Sequence, residues 1–425
     1  MRTAAAFFVA LSALAQTPGP PVKLTLAEAQ AIALKNHPAV SAALLNALAA
    51  GQVPIETRSA LYPTITGAVT AVGAADQSRI AAGNLNNPII YNRLATGITI
   101  GQVLTDFGRT TSLVESAKFR AQAQQDNAAG TRAQVLLQVN RAYFSALRAQ
   151  KVLTVAEQTV ATRQVVAEQV NALAQSKLKS GLDVSFANVN LSEAKLLLAS
   201  AQNDREAALA ELSNALGYPS RQNFDLADAP TPPALTNDLP DLMTAARQNR
   251  PELLSARAEQ TAADRFVKAE RALAYPTLSA LASAGVIPAH EDTLRGRYGA
   301  LGFNLNIPVF NGHLFSARRS EAEYRAQAAE QNVRELENRV TRDVQVALLN
   351  VNTADQRLGL TAELLTEAAQ ALDLAQTRYD LGLSSIVELT QAQLNKTSAE
   401  IASATALYDY VLQRAVLDYQ TGVLK

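Results

Sequence analysis

Residues that could do chemistry are scarce in this sequence. It has no cysteine and only three histidines, His37, His290 and His313, in 425 residues. Without cysteine there is no disulfide, thiolate nucleophile, iron–sulfur cluster, thiolate zinc site or thioether lipid anchor. His290 is followed by Glu291 and Asp292, a set that could hold a metal ion weakly. It falls at an expected external hairpin tip, where a solvated loop is the simpler reading. His37 stands beside Pro38, a pair that marks a helix boundary better than a ligand. Asp106-Phe107-Gly108 has the letters of a kinase magnesium motif, but no glycine-rich nucleotide loop or catalytic loop accompanies it. It reads as a strand-to-helix turn. The 38 basic residues balance 38 acidic ones, which gives no electrostatic argument for nucleic acid. No catalytic residue, metal or cofactor is implied, and an enzyme is not expected.

The elements that would position a site are better defined. Met1-Arg2 precedes an uncharged stretch, Thr3 to Ala15, ending in Ala13-Leu14-Ala15. That is a signal peptide over 1–15 with a small-x-small cleavage site, so the protein is expected to be exported. Its apolar run of about 12 residues is too short to cross a bilayer, which takes about 20. No later run of 18 uncharged apolar residues is apparent, so no transmembrane helix is expected. The 16 prolines lie at positions up to 88 and between 219 and 308. The two proline-free stretches, rich in Ala, Leu, Gln, Glu and Arg, are where long helices belong. A run of 70 residues would extend about 100 Å at 1.5 Å per residue, far longer than a globular helix. Val344, Val351, Leu358, Leu365, Leu372 and Tyr379 recur every seven positions, as do Val139, Ala146, Leu153, Val160, Ala167 and Ala174. One strong column with many alanines suits close packing against several neighbours more than a two-stranded coiled coil.

The two columns superpose at an offset of 205. Asn36-His37-Pro38 answers Asn249-Arg250-Pro251, and Tyr62-Pro63-Thr64 answers Tyr275-Pro276-Thr277, both at 213. Ser180-Gly181-Leu182 answers Leu381-Gly382-Leu383 at 201. The chain therefore reads as a tandem repeat. The first repeat, 16–216, has short helices, strands about 62–73 and 93–104, a long helix 110–179 and a return helix 183–216. A linker, 217–240, follows. The second repeat, 241–425, has short helices, strands about 276–287 and 297–309, a long helix 313–381 and a return helix 386–420. Thr25 and Glu28 form a possible capping box at the start.

The strands alternate. Leu301, Phe303, Leu305, Ile307 and Val309 face one way; Gly302, Asn304, Asn306 and Pro308 face the other. Leu94, Thr96, Ile98 and Ile100 alternate with Ala95, Gly97, Thr99 and Gly101. A small soluble sheet would show the same period. Export and a strand length of about 9–11 residues favour transmembrane strands, with Tyr62, Tyr91, Tyr275, Tyr298 and Phe310 at strand ends as an aromatic girdle. Four strands cannot close a barrel, and lipid forbids an open edge. A spanning chain must then oligomerise.

At this point the sequence resembles the TolC-type outer-membrane efflux channels, from Leu24 to Gly422. The shared marks are Leu24-Thr25-Leu26-Ala27-Glu28-Ala29, Asn36-His37-Pro38, Ser59-Ala60-Leu61-Tyr62-Pro63, Thr105-Asp106-Phe107-Gly108-Arg109, Pro308-Val309-Phe310-Asn311-Gly312, Tyr379-Asp380-Leu381-Gly382-Leu383 and Ile386-Val387-Glu388-Leu389. The resemblance implies a mainly α protein with transmembrane β: a homotrimer with a 12-strand β-barrel in the outer membrane and a long periplasmic α-barrel. It implies passage of substrate from an inner-membrane pump and periplasmic adaptor (membrane fusion protein) to the outside, as efflux or type I secretion. Lipid would meet Leu301, Phe303, Leu305 and Ile307, and the adaptor would meet the hairpin tips at Gly181, Leu182, Gly382 and Leu383. The periplasmic entrance gate maps to Asp183, Tyr379, Ser384, Glu388 and Gln391. Ser384 stands where the family has a basic residue, and Gln391 where it has a second acidic one. Three Glu388 carboxylates around one axis would favour cations. The resemblance also makes the first hairpin turn two or three residues short and Pro54 a kink. The competing reading is a secreted structural coiled-coil or adhesin-like protein, soluble without detergent. The cargo is not legible.

Overall fold

The computed structural model describes residues 22–424 except 77, 80–88, 229, 231, 234, 236–237, 291 and 293–294. The expected signal peptide lies outside the described residues. In chain order the elements are β1 (Val22–Leu24), α1 (Leu26–Asn36), α2 (Pro38–Ser59), β2 (Thr64–Val72), β3 (Arg93–Thr105), α3 (Arg109–Gln175), α4 (Gly181–Ala215), β4 (Phe224–Leu226), α5 (Leu239–Asn249), α6 (Pro251–Ala272), β5 (Thr277–His290), β6 (Arg297–Asn306), α7 (Leu314–Asp380) and α8 (Ile386–Gln420). Helices in the two halves have equal lengths. α1 and α5 have 11 residues, α2 and α6 have 22, α3 and α7 have 67, and α4 and α8 have 35.

Left-handed residues recur at the same places: Phe107 and Gly108 with Gly312 and His313, Lys177 with Gly382, and Gly217 with Gly422, each 205 apart. Up to the start of β5 the offset is 213. Two offsets therefore suffice, and the eight-residue change between them falls in the connections β2–β3 and β5–β6. The third offset, 201, is corrected. Gly181 is not the turn residue but the first residue of α4. The residue equivalent to Gly382 is Lys177, at φ 59 against 70. Leu178 N–H donates to the Leu173 carbonyl at 2.9 Å and Leu383 N–H to that of Arg378 at 2.8 Å. The same 6→1 bond closes both helices, so a backbone motif holds a non-glycine residue in the left-handed region. The two turns have the same length.

The chain divides into two compact units. One comprises Met1–Ser41, Thr131–Asn249 and Val340–Lys425; the other comprises Ala42–Gly130 and Arg250–Arg339. In the first unit the heptad positions Val139, Ala146, Ala167, Val344, Val351 and Tyr379 are buried. The segment expected to be only a linker also holds a strand there. β4 pairs in parallel with β1, Leu226 opposite Leu24. Tyr143, fully buried, has its hydroxyl 2.9 Å from the Leu24 carbonyl and 2.6 Å from that of Ala227. One phenol thus reaches both strands at the same end of a pair too short to persist alone. The Thr25–Glu28 capping box is present at the start of α1.

In the second unit β2, β3, β5 and β6 form one antiparallel sheet in that order. α6 docks on the start of α3, where the buried Ser116 hydroxyl donates to the Ala262 carbonyl at 2.8 Å and Arg265 meets Glu115 at 2.8 Å. α2 differs from its counterpart α6. From Pro38 to Ile55 it has no charged residue, and Ala47 alone is buried. Leu44, Leu48 and Ile55 share one exposed face, with Leu45 beside them. By length and composition α2 is long and apolar enough to cross a membrane, a candidate that the expectation did not register. The polar Asn46 and Gln52 interrupt the run, so a search for unbroken apolar residues missed it. α2 stays helical across Pro54, which forgoes one backbone bond to Ala50.

Candidate channel wall and entrance

The sheet register sorts its residues onto two unlike faces. Ile65, Ile100, Ala282 and Leu301 form one row straight across the four strands. The next row is Thr66, Thr99, Ser283 and Ala300. Because side chains alternate, the first face gathers Val69, Ile98, Ala280, Phe303 and Leu305 around its row. The second gathers Thr64, Thr70, Ser279, Asn304 and Asn306. Leu301, Phe303 and Leu305 are all exposed on the apolar face, and exposed Ile307 follows the end of β6. Tyr62, Phe107, Tyr275 and Phe310 are exposed beside one end of the strands, and the rings of Phe107 and Tyr275 lie 5.8 Å apart.

Tyr298 departs from the girdle expected of it. Its partner in register is Gly285, whose own partner is Gly97, and the phenol ring lies over both. A Cβ at Gly97 would collide with the Tyr298 hydroxyl and press on the Ala284 carbonyl, and one at Gly285 would meet the Thr96 carbonyl as well as the ring. The two glycines are the space the ring occupies. Gly97→Val is expected to drive the ring off the sheet and cost about 1–3 kcal/mol, seen as a lower unfolding temperature in detergent. An unchanged temperature would refute this packing role.

The residues expected at the entrance lie in the first unit, at or near the α3–α4 and α7–α8 turns. Ser180 caps α4, and Asp183 completes the box. Its carboxylate accepts from Ser180 N–H at 2.9 Å and from the Ser180 hydroxyl at 2.8 Å. These bonds, helped by Lys179, hold the Asp183 carboxyl below its ordinary range. Tyr379 is buried among Val170, Leu191, Ile386 and Leu389, and its hydroxyl has no partner. The structure therefore does not bring Asp183 and Tyr379 into a hydrogen bond. Lys179 instead sets its ammonium 4.3 Å from the Tyr379 ring centroid, a cation–π arrangement. The Ser384 hydroxyl is buried without a partner. Glu388, three residues after the cap Ser385, receives Arg378 Nε at 3.1 Å. Gln391 donates along its own helix to Asn395 at 2.9 Å. Lys179 stands 205 residues before Ser384, so the cation absent at 384 is present at the matching place in the other turn. Sequence reasoning missed it, with Arg378, because it aligned the turns on their glycines. Leu178 and Leu383, equivalent under the corrected alignment, are 72% and 68% exposed. Gly181 and Leu182 are displaced from the turn into α4.

Asp183 stabilises while ionised, because folding lowers its pKa. That contribution is complete above the ordinary carboxylate range and is lost as pH falls through and below it. Asp183→Ala is expected to cost about 1 kcal/mol at the first turn of α4. Amide hydrogen exchange there should accelerate in the variant, and in the parent protein on acidification. Unchanged exchange would show that the box does not hold the turn.

A two-faced sheet and a pair of equal helical hairpins of this length in one chain define a class. The sequence profile of the outer membrane efflux protein family matches residues 31–218 and 242–423, and the chain belongs to that family. It is an outer-membrane efflux channel protein; such tunnels are not enzymes. Among individual relatives, it is 26% identical over 418 residues to the outer membrane protein TolC of Vibrio cholerae serotype O1, covering 94% of this chain and 91% of that one. It is 23% identical over 358 residues to TolC of Salmonella enteritidis, covering 78% and 71%. A solved membrane protein from Pseudomonas aeruginosa has the same fold, with a TM-score of 0.81 at 22% identity and 93% of each chain covered.

Proposed function

We propose that three copies of this chain close one channel, a 12-strand barrel in the outer membrane continued by a helical tunnel through the periplasm. The carrying observation is the sheet: one face apolar, one face lined with threonine, serine and asparagine, and two edge strands, β2 and β6, unpaired among the described residues. Lipid cannot hydrogen-bond those edges, so β2 of one copy pairs with β6 of the next. The apolar face, with Leu301, Phe303, Leu305 and Ile307, meets lipid, and the polar face lines the pore. The uncharged exposed face of α2 is then covered by the neighbouring copy. Duplication of one unit accounts for the equal helix lengths. Substrate passes without chemistry from an inner-membrane pump and periplasmic adaptor to the outside. The adaptor meets the hairpin tips, where Leu178 and Leu383 supply exposed apolar knobs beside Gly181, Leu182 and Gly382. Asp183, Tyr379, Ser384, Glu388 and Gln391 belong to the entrance, with Lys179 and Arg378 added.

The test is purification from membranes in detergent followed by negative-stain imaging. A threefold hollow cylinder is expected. A rod without a lumen, soluble without detergent, would overturn the reading in favour of a structural coiled-coil protein. At the entrance, Glu388→Gln is expected to reduce cation preference in planar-bilayer conductance. Stability should move by less than about 1 kcal/mol, since Arg378 and Glu388 are both well exposed. Unaltered selectivity would remove Glu388 from the permeation path.

A further inference from the structure

Within the first unit, the packing of the α3/α4 hairpin against α7/α8 changes character along its length. Toward the turns it is apolar, built on Ala167, Val170, Ala187, Leu191 and Leu389. Next to this lies a polar layer. Asn190 donates to the Thr390 hydroxyl at 3.0 Å, and the Thr159 and Thr397 hydroxyls are 3.5 Å apart. Arg163 and Gln393 are 4% and 5% exposed. The Arg163 NH1 and Gln393 Nε2 atoms are sealed from solvent, and neither has a hydrogen-bond partner. Both residues line one cavity of about 50 Å³, together with Thr159, Thr162 and Lys396.

The two orphan atoms are both donors, so what satisfies them must accept. Arginine cannot relieve its burial by losing a proton, because its pKa lies too high. Burial nonetheless presses against its charged form, and Glu193 opposes that effect only electrostatically, without an ion pair to Arg163. Glu400, also on the cavity wall, is engaged by Lys396 at 3.1 Å. The guanidinium is thus left with a donor and a charge to satisfy, at a cost that grows with burial. A water molecule would accept the hydrogen bonds but bring no counter-charge. The cavity exceeds several times the roughly 10–15 Å³ one water needs, which leaves space for a halide.

We propose that this layer is a binding site for a small monovalent anion, chloride or a like halide, held between the Arg163 guanidinium and the Gln393 amide. The anion bridges α3 and α8 and so ties the two hairpins together above their turns. The site is made within one chain and stands whether or not three copies assemble.

The experiment is thermal unfolding of the full chain in detergent, in sodium chloride and in sodium gluconate at equal ionic strength. Gluconate is too large for the cavity. The midpoint is expected to rise by about 2–4 °C with chloride and to stay flat in gluconate. Arg163→Met should erase the difference. Gln393→Glu places a carboxylate where the anion sits; it should lift the gluconate midpoint and remove the chloride response. Crystals soaked in bromide should show an anomalous peak between Arg163 and Gln393. Equal midpoints in the two salts, a chloride response that survives in Arg163→Met, or water without bromide at the site would each overturn the proposal. If Arg163→Met does not fold, Gln393→Glu and the bromide crystals decide it.

Discussion

Phe303→Asp is expected to abolish assembly in the outer membrane, while Asn304→Asp, one residue along, assembles and alters conductance. The two positions are neighbours on β6, and they point to opposite faces of the sheet. Phe303 is 68% exposed, with Leu301 and Leu305 on its face and Ala280 opposite it in register. Losing the lipid contact of a phenylalanine and placing a carboxylate there costs roughly 3–5 kcal/mol per chain. In the proposed trimer the cost is incurred three times, against a total stability of only about 5–15 kcal/mol for an ordinary domain. Asn304 belongs to the face with Ser279 and Asn306, where in the proposed barrel a further charge stays in water. Outer-membrane fractionation with a trimer assay separates the outcomes. Normal assembly of Phe303→Asp would remove the apolar face from lipid and with it the barrel.

The second large effect lies at Tyr143. Tyr143→Ala is expected to cost about 3–5 kcal/mol, the usual price of deleting a fully buried aromatic ring, and to free the β1–β4 pair. Tyr143→Phe keeps the ring and loses only the hydroxyl between the Leu24 and Ala227 carbonyls, about 1–3 kcal/mol. Burial raises the Tyr143 phenol to about 12 from 10.0, with Asp228 and Glu28 adding to the effect. Tyr408, whose hydroxyl donates to Asp228 at 3.0 Å, shifts the same way. A raised phenol pKa means that the folded state keeps a proton the unfolded chain releases. Stability is therefore intact below pH about 10 and falls as pH climbs through about 12. Unfolding midpoints across that window should fall less steeply in Tyr143→Phe. Equal slopes would exclude Tyr143 as a source of the alkaline loss.

How much of this was legible in the sequence depends on the range of the interaction that fixes each element. The long helices were readable because proline is excluded from them and one apolar column repeats every seven residues. The membrane-length strands were readable because Leu301 to Ile307 alternate. The β1–β4 pair was not, because three-residue strands carry no periodicity and their anchor, Tyr143, lies 119 positions from Leu24. The first hairpin turn was misplaced because its left-handed residue is Lys177, and composition advertises glycine instead. The residues expected at the entrance could be named from the sequence, but not their contacts. Asp183 spends its carboxylate on Ser180, and Tyr379 meets Lys179. No local pattern announces the Arg163–Gln393 layer either, since it forms only when α3 lies against α8.

The equal lengths of α3 and α7, and of α4 and α8, restrict how this protein can vary. Removing seven residues from one long helix alone would return the next apolar residue to the seam but leave its partner hairpin a full two turns longer. Seven residues taken from all four helices together would keep every seam and every turn in step. The helical hairpins of the proposed tunnel can therefore be lengthened or shortened only as a matched set, in steps of about 10 Å. If that tunnel bridges two membranes as proposed, its reach is a quantised trait.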